Sequence, residues 1–227
     1  MRIGLDVGGT FTDAVAVVDG DLVAKAKCRT TKEHLMEGIT EALRAISAKV
    51  VPSEVTRVTL STTVVTNTLA ESKEDAVDLY IVPGPGMNVM HAFPVTPIVL
   101  SGYTDHRGIV TAPLQTLAPK VPANRHANAA VSAKFSVRNP QTERQAAAAL
   151  RDAGYDVVSE AAAAGGSLNF LRRTVSAYFN SAVQPVFAKF RDSVREALAE
   201  FGITAPVYIL KADGGSLPLD AVANRPV

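Results

Sequence analysis

The chain has 227 residues, of which 47% are hydrophobic and 20% charged, as in a folded globular protein that buries one sizeable core or a core and a smaller lobe. Its 23 basic and 22 acidic residues give a formal net charge of +1 without a basic stripe, which argues against nucleic acid as a partner. Cys28 is the only cysteine and the four histidines lack ligand spacing, which argues against a disulfide framework or a zinc or iron–sulfur site within one chain.

The N-terminal sequence carries no secretory signal pattern, because Met1-Arg2-Ile3 leads directly into a strand pattern. No apolar run approaches the ~20 residues that a membrane helix needs. From these two observations we expect a soluble, cytoplasmic protein that has no membrane partner.

Alternating strand patterns and helical patterns follow one another through the first third of the chain. They predict strands at 3–7, 14–18 and 22–28, a helix at 35–50 that Pro52 stops, a strand at 55–60, a helix at 62–71 and a strand at 76–82. A parallel crossover needs an intervening helix, so this order predicts an α/β fold with a mixed sheet.

Prolines change the character of the chain after this region. Seven of them occur between residues 83 and 122, separated by short apolar pieces, which predicts an irregular insertion. We therefore expect an α/β core at 1–84, an irregular Pro-rich insertion at 85–128 and a second α/β portion at 129–227.

The second α/β portion contains the longest helical pattern of the chain. Its other patterns predict strands at 129–137, 155–159 and 207–210 and a helix at 140–153. The long pattern runs from Leu168 to Phe201 around Pro185, which predicts a kink or two helices. Its apolar stripe fits either a partner surface or a core face, and the core is favoured because apolar residues at helical spacing usually face one.

The most informative motif is Asp6-Val-Gly-Gly-Thr-Phe-Thr-Asp13, which directly follows a short apolar strand. Gly8 and Gly9 have no Cβ, so successive N–H groups of the turn can approach an anion. Thr10 and Thr12 add hydroxyl donors. The motif predicts a β-hairpin that binds phosphate. Its residues match neither the P-loop pattern nor the dinucleotide-binding fingerprint.

One carboxylate precedes this turn and another follows it. Asp6 and Asp13 are suited to hold Mg²⁺ through water or to orient a nucleophilic water, which makes them candidate catalytic groups, with Asp6 also the candidate metal ligand. The alternative is an ordinary hairpin turn, since Gly-Gly is a common two-residue connection. A plain turn does not need two threonines and two aspartates as well, so we favour the phosphate interpretation.

The opening strands and their glycine turn resemble the first phosphate motif of the actin-like ATPase superfamily, whose fold is ribonuclease H-like. The wording Gly4-Leu-Asp-Val-Gly-Gly-Thr-Phe-Thr-Asp-Ala14 more closely resembles the N-terminal domain of the hydantoinase/5-oxoprolinase family. Four further segments are similar to blocks of that family: Ser61-Thr-Thr-Val-Val-Thr-Asn-Thr-Leu-Ala-Glu71, Phe135-Ser-Val-Arg-Asn-Pro140 with Glu143, Leu168-Asn-Phe-Leu-Arg-Arg173 and Leu210-Lys-Ala-Asp-Gly-Gly215.

The chain departs from the family pattern at one block. Leu60 and Ser61 stand where the family has His and Gly, so any role of that histidine is absent here. Thr62, Thr63 and Asn67 match the pattern and are candidates for polar contacts to the cofactor.

The resemblance implies ATP-dependent opening of a cyclic amide, such as a hydantoin or 5-oxoproline ring, with ATP and Mg²⁺ as cofactors. ATP would phosphorylate the amide oxygen, and water would then attack the activated carbon. The N–H groups of Gly8, Gly9 and Thr10 would hold phosphate oxygens, and Asp6 would engage Mg²⁺ or its waters. Thr12 and Asp13 would hold the hairpin and orient phosphate or water.

The family continues past the position equivalent to Val227. The resemblance therefore implies that the chain needs a downstream catalytic region or a second hydantoinase subunit, and that it is inactive alone. The sequence leaves open whether the chain forms a homo-oligomer. Two alternatives also stay open: a small-molecule kinase of the actin-like superfamily, and a non-catalytic assembly lobe.

Two further polar turns attract attention. Asp213, Gly214 and Gly215 follow a strand, so they either place another polar group of the cofactor site at the strand end or form a strand-to-helix turn capped by Ser216. The segment Thr104-Asp-His-Arg-Gly108 brings charge and imidazole together, but its composition is more typical of a loop turn.

Overall fold

The computed structural model describes residues 1–30, 35–115, 120–165, 168–222 and 225–226. They divide into two compact units. Unit 1 contains Met1–Lys73 and Val186–Pro226, and unit 2 contains Glu74–Pro185. The sequence-based boundaries at 84 and 128 both lie inside unit 2.

Helices and strands alternate along most of the described chain. In chain order they are β1 (Arg2–Val7), β2 (Phe11–Val18), β3 (Asp21–Arg29), α1 (Leu35–Ser47), β4 (Arg57–Thr62), α2 (Val64–Ala70), β5 (Val77–Val82), β6 (Ile98–Val99), β7 (Tyr103–Thr104), β8 (Val110–Ala112), β9 (Asn128–Ala133), α3 (Gln141–Asp152), β10 (Val157–Glu160), α4 (Ala161–Ala164), α5 (Phe170–Glu200), β11 (Val207–Leu210), β12 (Ser216–Pro218) and α6 (Leu219–Val222). In the described residues, no helix has the length and apolar character that crossing a membrane requires.

Unit 1 is built on a six-stranded mixed sheet with the order β12-β11-β4-β1-β2-β3. β1 pairs parallel with β4 and antiparallel with β2, and β11 pairs parallel with β4. The predicted α/β class is confirmed, with a ribonuclease H-like mixed sheet flanked by helices.

Alternation along the strands explains where the core of unit 1 lies. Ile3, Leu5 and Val7 of β1 are buried while Asp6 is exposed, because successive side chains of a strand point to opposite faces. Helix α1 and the last part of α5 contribute apolar residues to the same core cluster, including Ile39, Leu43, Ile46, Phe187, Phe190 and Val194. The opposite face of β1 is left for polar residues.

The end of α1 differs from the prediction. The helix ends at Ser47, before Pro52, so Pro52 does not stop it. The N–H groups of Lys49 and Val50 donate back to the carbonyls of Ile46 and Ser47, which closes the helix end. Pro52 instead begins a short 3-10 turn, where its missing N–H costs no helical hydrogen bond.

Unit 2 contains a four-stranded parallel sheet in the order β10-β9-β5-β6. Every residue of β5 and of β9 is buried, as expected for parallel strands covered on both faces. Strand β9 ends at Ala133, although the sequence predicted a strand to 137. The chain turns there because Phe135 adopts a left-handed conformation with φ of 62°.

The sequence predicted a kink or two helices around Pro185, and the structure has one helix, α5, that continues through it, so two separate helices are excluded. The predicted core face is confirmed in its last part, where Val194 and Leu198 are buried. In its first part Leu171 is 39% exposed, and buried polar groups such as Arg173 and Thr174 lie among buried apolar residues such as Val183. The apolar stripe therefore predicted only part of the buried face.

A buried polar cluster in unit 2 escaped the sequence analysis. The Tyr155 hydroxyl donates to Asp78 Oδ2 at 2.6 Å, and the hydroxyls of Tyr155 and Tyr80 are 2.8 Å apart. His126 contacts the same carboxylate through its backbone N–H (3.0 Å) and its ring Nδ1 (2.7 Å). Burial, and then the bond to Asp78, raise the pKa of Tyr155, so this hydroxyl stays protonated and donates.

Tyr155→Phe is expected to lower the free energy of unfolding by about 1.5–3 kcal/mol, because a carboxylate that is only 9% exposed loses a hydrogen bond. Chemical denaturation measures the change. Tyr103→Phe is the matched control, since the Tyr103 hydroxyl makes no hydrogen bond within the described residues, and it should cost less than about 0.5 kcal/mol. Equal costs for the two variants would contradict the assignment.

Candidate phosphate-binding site

The glycine turn joins β1 to β2 through Gly8, Gly9 and Thr10. The Gly8 N–H donates to the Phe11 carbonyl at 3.0 Å, and the Thr30 N–H donates to the Thr10 carbonyl at 2.9 Å. Neither glycine has a positive φ, which the common two-residue Asn-Gly or Gly-Gly hairpin requires. The connection is therefore not the two-residue Gly-Gly turn but a loop of three residues, Gly8 to Thr10.

Both positions are glycine because a Cβ would lack space there, and not because the backbone conformation requires glycine. A Cβ on Gly9 would lie 2.9 Å from Asn67 Nδ2, and a Cβ on Gly8 would lie 3.1 Å from the Phe11 carbonyl oxygen. Asn67 is held in place because its Nδ2 donates to Thr63 Oγ1 at 3.1 Å. The side chain of Asn67 thus packs against the turn, and Thr63 orients it.

Two backbone donors of the turn are left for a ligand. Within the described residues, the N–H groups of Gly9 and Thr10 donate no hydrogen bond. Thr10 is exposed and Gly9 is half-buried, so both groups are accessible. Successive free N–H groups in such a turn favour an anion.

Thr12 does not lie where the predicted direct contact with a ligand would require. It is fully buried, and its Oγ1 lies 2.7 Å from Thr30 Oγ1. A Cβ added to Gly38 of α1 would lie 3.4 Å from the same oxygen, so the helix packs closely here. Thr12 therefore fastens the hairpin to its surroundings and offers no hydroxyl to a ligand.

A cavity of about 220 Å³ opens beside the turn, entirely within unit 1. It is lined by Val7, Gly8, Gly9, Thr30, Thr62, Val64, Asn67, Thr68, Glu71, Lys73 and Val186. Thr62 connects its walls, because its Oγ1 donates to the Val7 carbonyl at 2.9 Å and accepts from the Val64 N–H at 3.2 Å. The structure thus brings together the predicted residues Gly8, Gly9, Thr62 and Asn67.

Asp6 and Asp13 lie directly opposite each other in the β1–β2 register, on the face of the sheet away from the core. Two like charges at such a pair of positions repel each other. Lys27 compensates Asp13, with its Nζ 2.8 Å from Oδ2 and 3.1 Å from Oδ1. Asp6 makes no ion pair with any described residue, and neither carboxylate lines the cavity.

The fit of Asp6 to Mg²⁺ follows from this arrangement. The described residues contain no group of three or more metal-ligating side chains. Mg²⁺ usually binds one or two carboxylates and completes its coordination with water and phosphate oxygens. Asp6, an exposed carboxylate beside the glycine turn with no ion pair among the described residues, fits that pattern.

Asp213, Gly214 and Gly215 form the turn of a β-hairpin between β11 and β12. Gly214 has a φ of 84°, which favours glycine, and Asp213 Oδ1 accepts from the Gly215 N–H at 2.9 Å. That bond, and then the charge of Lys211, lower the pKa of Asp213 below its ordinary value. The predicted helix cap is wrong, because Ser216 lies in β12 and its Oγ accepts from Arg57.

The segment from Thr104 to Gly108 leaves β7 at Thr104 and then forms a turn, as predicted, that connects β7 to β8. Asp105 accepts from the N–H groups of Ile109 and Arg107, each at 2.9 Å, and from Arg107 Nε at 3.1 Å. The bond from Ile109 makes the largest contribution to lowering the pKa of Asp105. Its carboxylate is thus used to build the turn.

Comparisons with known proteins identify the family and the fold of the chain. The sequence model of the hydantoinase/oxoprolinase N-terminal region matches residues 2–94, and the model of hydantoinase/oxoprolinase matches residues 173–227. Among curated proteins no match was found. Unit 1 carries most of both matched regions.

Two solved structures share the fold. One is the nucleotide-free structure of acetone carboxylase, from work on ATP-dependent acetone carboxylation, with a TM-score of 0.81 and 19% identity. The other is the ATP-dependent caprolactamase from Pseudomonas jessenii, with a TM-score of 0.77 and 23% identity. Each similarity covers 99% of this chain and 38% of the other chain, so the chain spans little more than a third of these neighbours. Taken with the two matching sequence models and the glycine turn, this shows that the chain belongs to the hydantoinase/oxoprolinase family.

Proposed function

We propose that the chain supplies the phosphate-binding part of an ATP-dependent enzyme that opens a cyclic amide of the hydantoin or 5-oxoproline type. The observation that carries the proposal is the turn at Gly8–Thr10, whose Gly9 and Thr10 N–H groups have no partner among the described residues and which borders a 220 Å³ cavity. An anion bound there would satisfy both donors.

ATP, when bound, would supply the phosphoryl group that turns the amide oxygen, a poor leaving group, into a good leaving group. The chain's own contribution to such a reaction is positioning and stabilisation of charge. The N–H groups of Gly9 and Thr10 would bind phosphate oxygens. Thr12 and Asn67 would keep the turn in place, the first through Thr30 and the second through close packing against Gly9.

Asp6 is the residue that would hold Mg²⁺ or its waters. Its partner across the strands, Asp13, is already neutralised by Lys27, so Asp6 keeps its full charge for a cation. A cation beside the turn would in turn compensate the charge of the phosphate oxygens.

The neighbours support the use of ATP, and their length supports the need for more protein. Caprolactamase and acetone carboxylase are both described as ATP-dependent, and the first acts on a cyclic amide by its name. This chain spans 38% of either neighbour. We therefore include in the proposal a further catalytic region or a second hydantoinase-type subunit, without which the 227 residues do not turn over substrate.

Gly9→Ala in the full natural protein is expected to weaken Mg-ATP binding at least about tenfold, because the new Cβ lies 2.9 Å from Asn67 Nδ2 and displaces the turn or the amide. Calorimetric titration measures the dissociation constant. The double variant Gly9→Ala with Asn67→Ala removes the clash and serves as the control, and it should fold as stably as Asn67→Ala alone. Unchanged ATP affinity in Gly9→Ala would mean that the Asn67 amide moves aside and that its packing against Gly9 does not hold the turn for phosphate.

Product analysis separates this function from its alternatives. A ring-opened acid with free phosphate supports the amide hydrolase, whereas a stable phosphoester identifies a kinase. A carboxylated product would instead indicate an activity like that of acetone carboxylase. Absence of turnover in the full protein with every partner present would leave an assembly role.

A further inference from the structure

The cavity beside the glycine turn has a second wall that the sequence motifs did not assign. It is formed by the C-terminal end of α2 and the residues that follow, and it contains Thr68, Glu71 and Lys73. Lys73 Nζ lies 2.7 Å from Glu71 Oε2, and its side chain remains 66% exposed. A cation therefore lies on the rim of the same cavity as the phosphate turn.

The backbone after α2 fixes where Lys73 stands. The Ser72 N–H donates to the Leu69 carbonyl at 3.2 Å, and the Lys73 N–H donates to the Thr68 carbonyl at 3.0 Å. These two bonds form the Schellman motif that ends many helices. Its left-handed position is held by Ser72, with a φ of 51°, although glycine is the usual residue there. The turn directs the chain so that Lys73 borders the cavity.

The chemistry of the two walls is complementary to one ligand. An ammonium group has three donors, so Lys73 can keep its bond to Glu71 and still donate to an anion. Hydrogen bonds between ionised groups are about twice as strong as neutral ones. The volume of 220 Å³ is below the roughly 300–1,000 Å³ of pockets that enclose drug-sized ligands, so it suits a phosphate group and not a whole nucleotide.

We infer that Lys73 is the cationic contact for the phosphate group that the Gly8–Thr10 turn binds, and that Glu71 is a positioning residue for Lys73. This inference rests on the proposed function and adds the second wall of its phosphate site. Glu71 holds the ammonium at the cavity, but its own negative charge opposes the anion.

NMR titration of the ¹⁵N-labelled 227-residue chain with inorganic tripolyphosphate tests the inference, because this probe needs no contacts to adenosine. The amide signals of Gly9 and Thr10 report binding at the turn. We compare Lys73→Ala and Lys73→Gln with the control Lys49→Ala, an exposed lysine of unit 1 that does not line the cavity. Thermal melting checks that each variant remains folded.

Tripolyphosphate is expected to shift the Gly9 and Thr10 signals of the unsubstituted chain. Both Lys73 variants should raise the dissociation constant about 10- to 100-fold, the effect of losing a charged hydrogen bond. Lys49→Ala should change it less than about twofold. Glu71→Gln should lower it, since the amide still accepts from Lys73 but no longer repels the anion.

Two contrary outcomes are distinguishable. If tripolyphosphate shifts Gly9 and Thr10 but the Lys73 variants bind like Lys49→Ala, the role of Lys73 is overturned while the phosphate turn stands. If these two signals do not respond in the unsubstituted chain, or only signals elsewhere respond, both the phosphate turn and the role of Lys73 are overturned.

Discussion

Asp6→Asn should lower the turnover of the full natural enzyme about 100-fold or more while leaving its thermal stability nearly unchanged. Asp6 is exposed and forms no ion pair within the described residues, so folding does not depend on its charge. Asp13, which lies opposite in the strand register, is already paired with Lys27, so removing the charge of Asp6 breaks no ion pair between them. The loss would fall on whatever cation Asp6 holds beside the phosphate turn.

Steady-state kinetics at several Mg²⁺ concentrations, together with thermal melting, tests this expectation. Asp21→Asn is the control, because Asp21 is an exposed carboxylate on β3 of the same sheet and lies outside the proposed site. High Mg²⁺ should restore part of the lost turnover. Equal losses of turnover and of stability would instead identify Asp6 as a structural carboxylate and remove the metal role.

Glu143→Ala should lower the free energy of unfolding by about 3–5 kcal/mol, the usual cost of removing a buried carboxylate from the groups that it contacts. Glu143 and Arg173 of unit 2 are 0% and 1% exposed. Glu143 Oε2 accepts from the Ala133 N–H at 2.8 Å, and Oε1 accepts from the Ala162 N–H at 2.7 Å. The substitution leaves two backbone donors without this acceptor and Arg173 without this counter-charge.

Chemical denaturation measures the effect. Glu160→Ala is the control, because its ion pair with Arg151 involves an arginine side chain that is 51% exposed, and exposed pairs contribute about 0–1 kcal/mol. If Glu143→Ala costs no more than Glu160→Ala, Glu143 is not the element that joins the end of β9 to the start of α4.

The same carboxyl gives a pH dependence with a defined sign. Burial raises the pKa of Glu143, and the N–H donors of Ala162 and Ala133 and the charge of Arg173 oppose it. A raised pKa means that the folded state binds the proton more tightly. The stabilisation is therefore complete below the ordinary pKa of about 4.3 and is lost as pH rises through the folded value.

Glu143→Gln cannot titrate and isolates this contribution. The difference in unfolding free energy between the unsubstituted chain and Glu143→Gln should fall as pH rises above about 4.3. A difference that rises with pH would mean that the hydrogen bonds and Arg173 outweigh burial.

Local patterns in the sequence predicted most of the sheet of unit 1. The alternation from Ile3 to Val7 predicted both the strand and the buried face, because strand side chains alternate with a period of two. The glycine turn was predicted from the eight consecutive residues from Asp6 to Asp13, and its place between two paired strands is confirmed. Its glycines were predicted for approach of an anion, and the structure adds that Asn67 fills the space beside Gly9.

Predictions that depended on distant contacts were less successful. The turn at Asp213 was left open between two interpretations, and pairing with β11 made Ser216 part of a strand. The strand at Ala129 was predicted too long, because Phe135 turns the chain there. Local composition carries no information about which strand edge or backbone donor a residue will meet.

The sequence by itself determined the α/β class, the family and the order of the strands at the start of the chain, since these depend on periodicity and on residues close together in the chain. Only the tertiary structure decided that unit 1 is completed by residues after Val186, and that Lys73 shares a cavity with the glycine turn. It also decided that, within the part of the chain that the structure describes, Asp13 has an ion pair and Asp6 has none. Such facts depend on which segments pack together, because hydrogen bonds and ion pairs act only over a few ångströms.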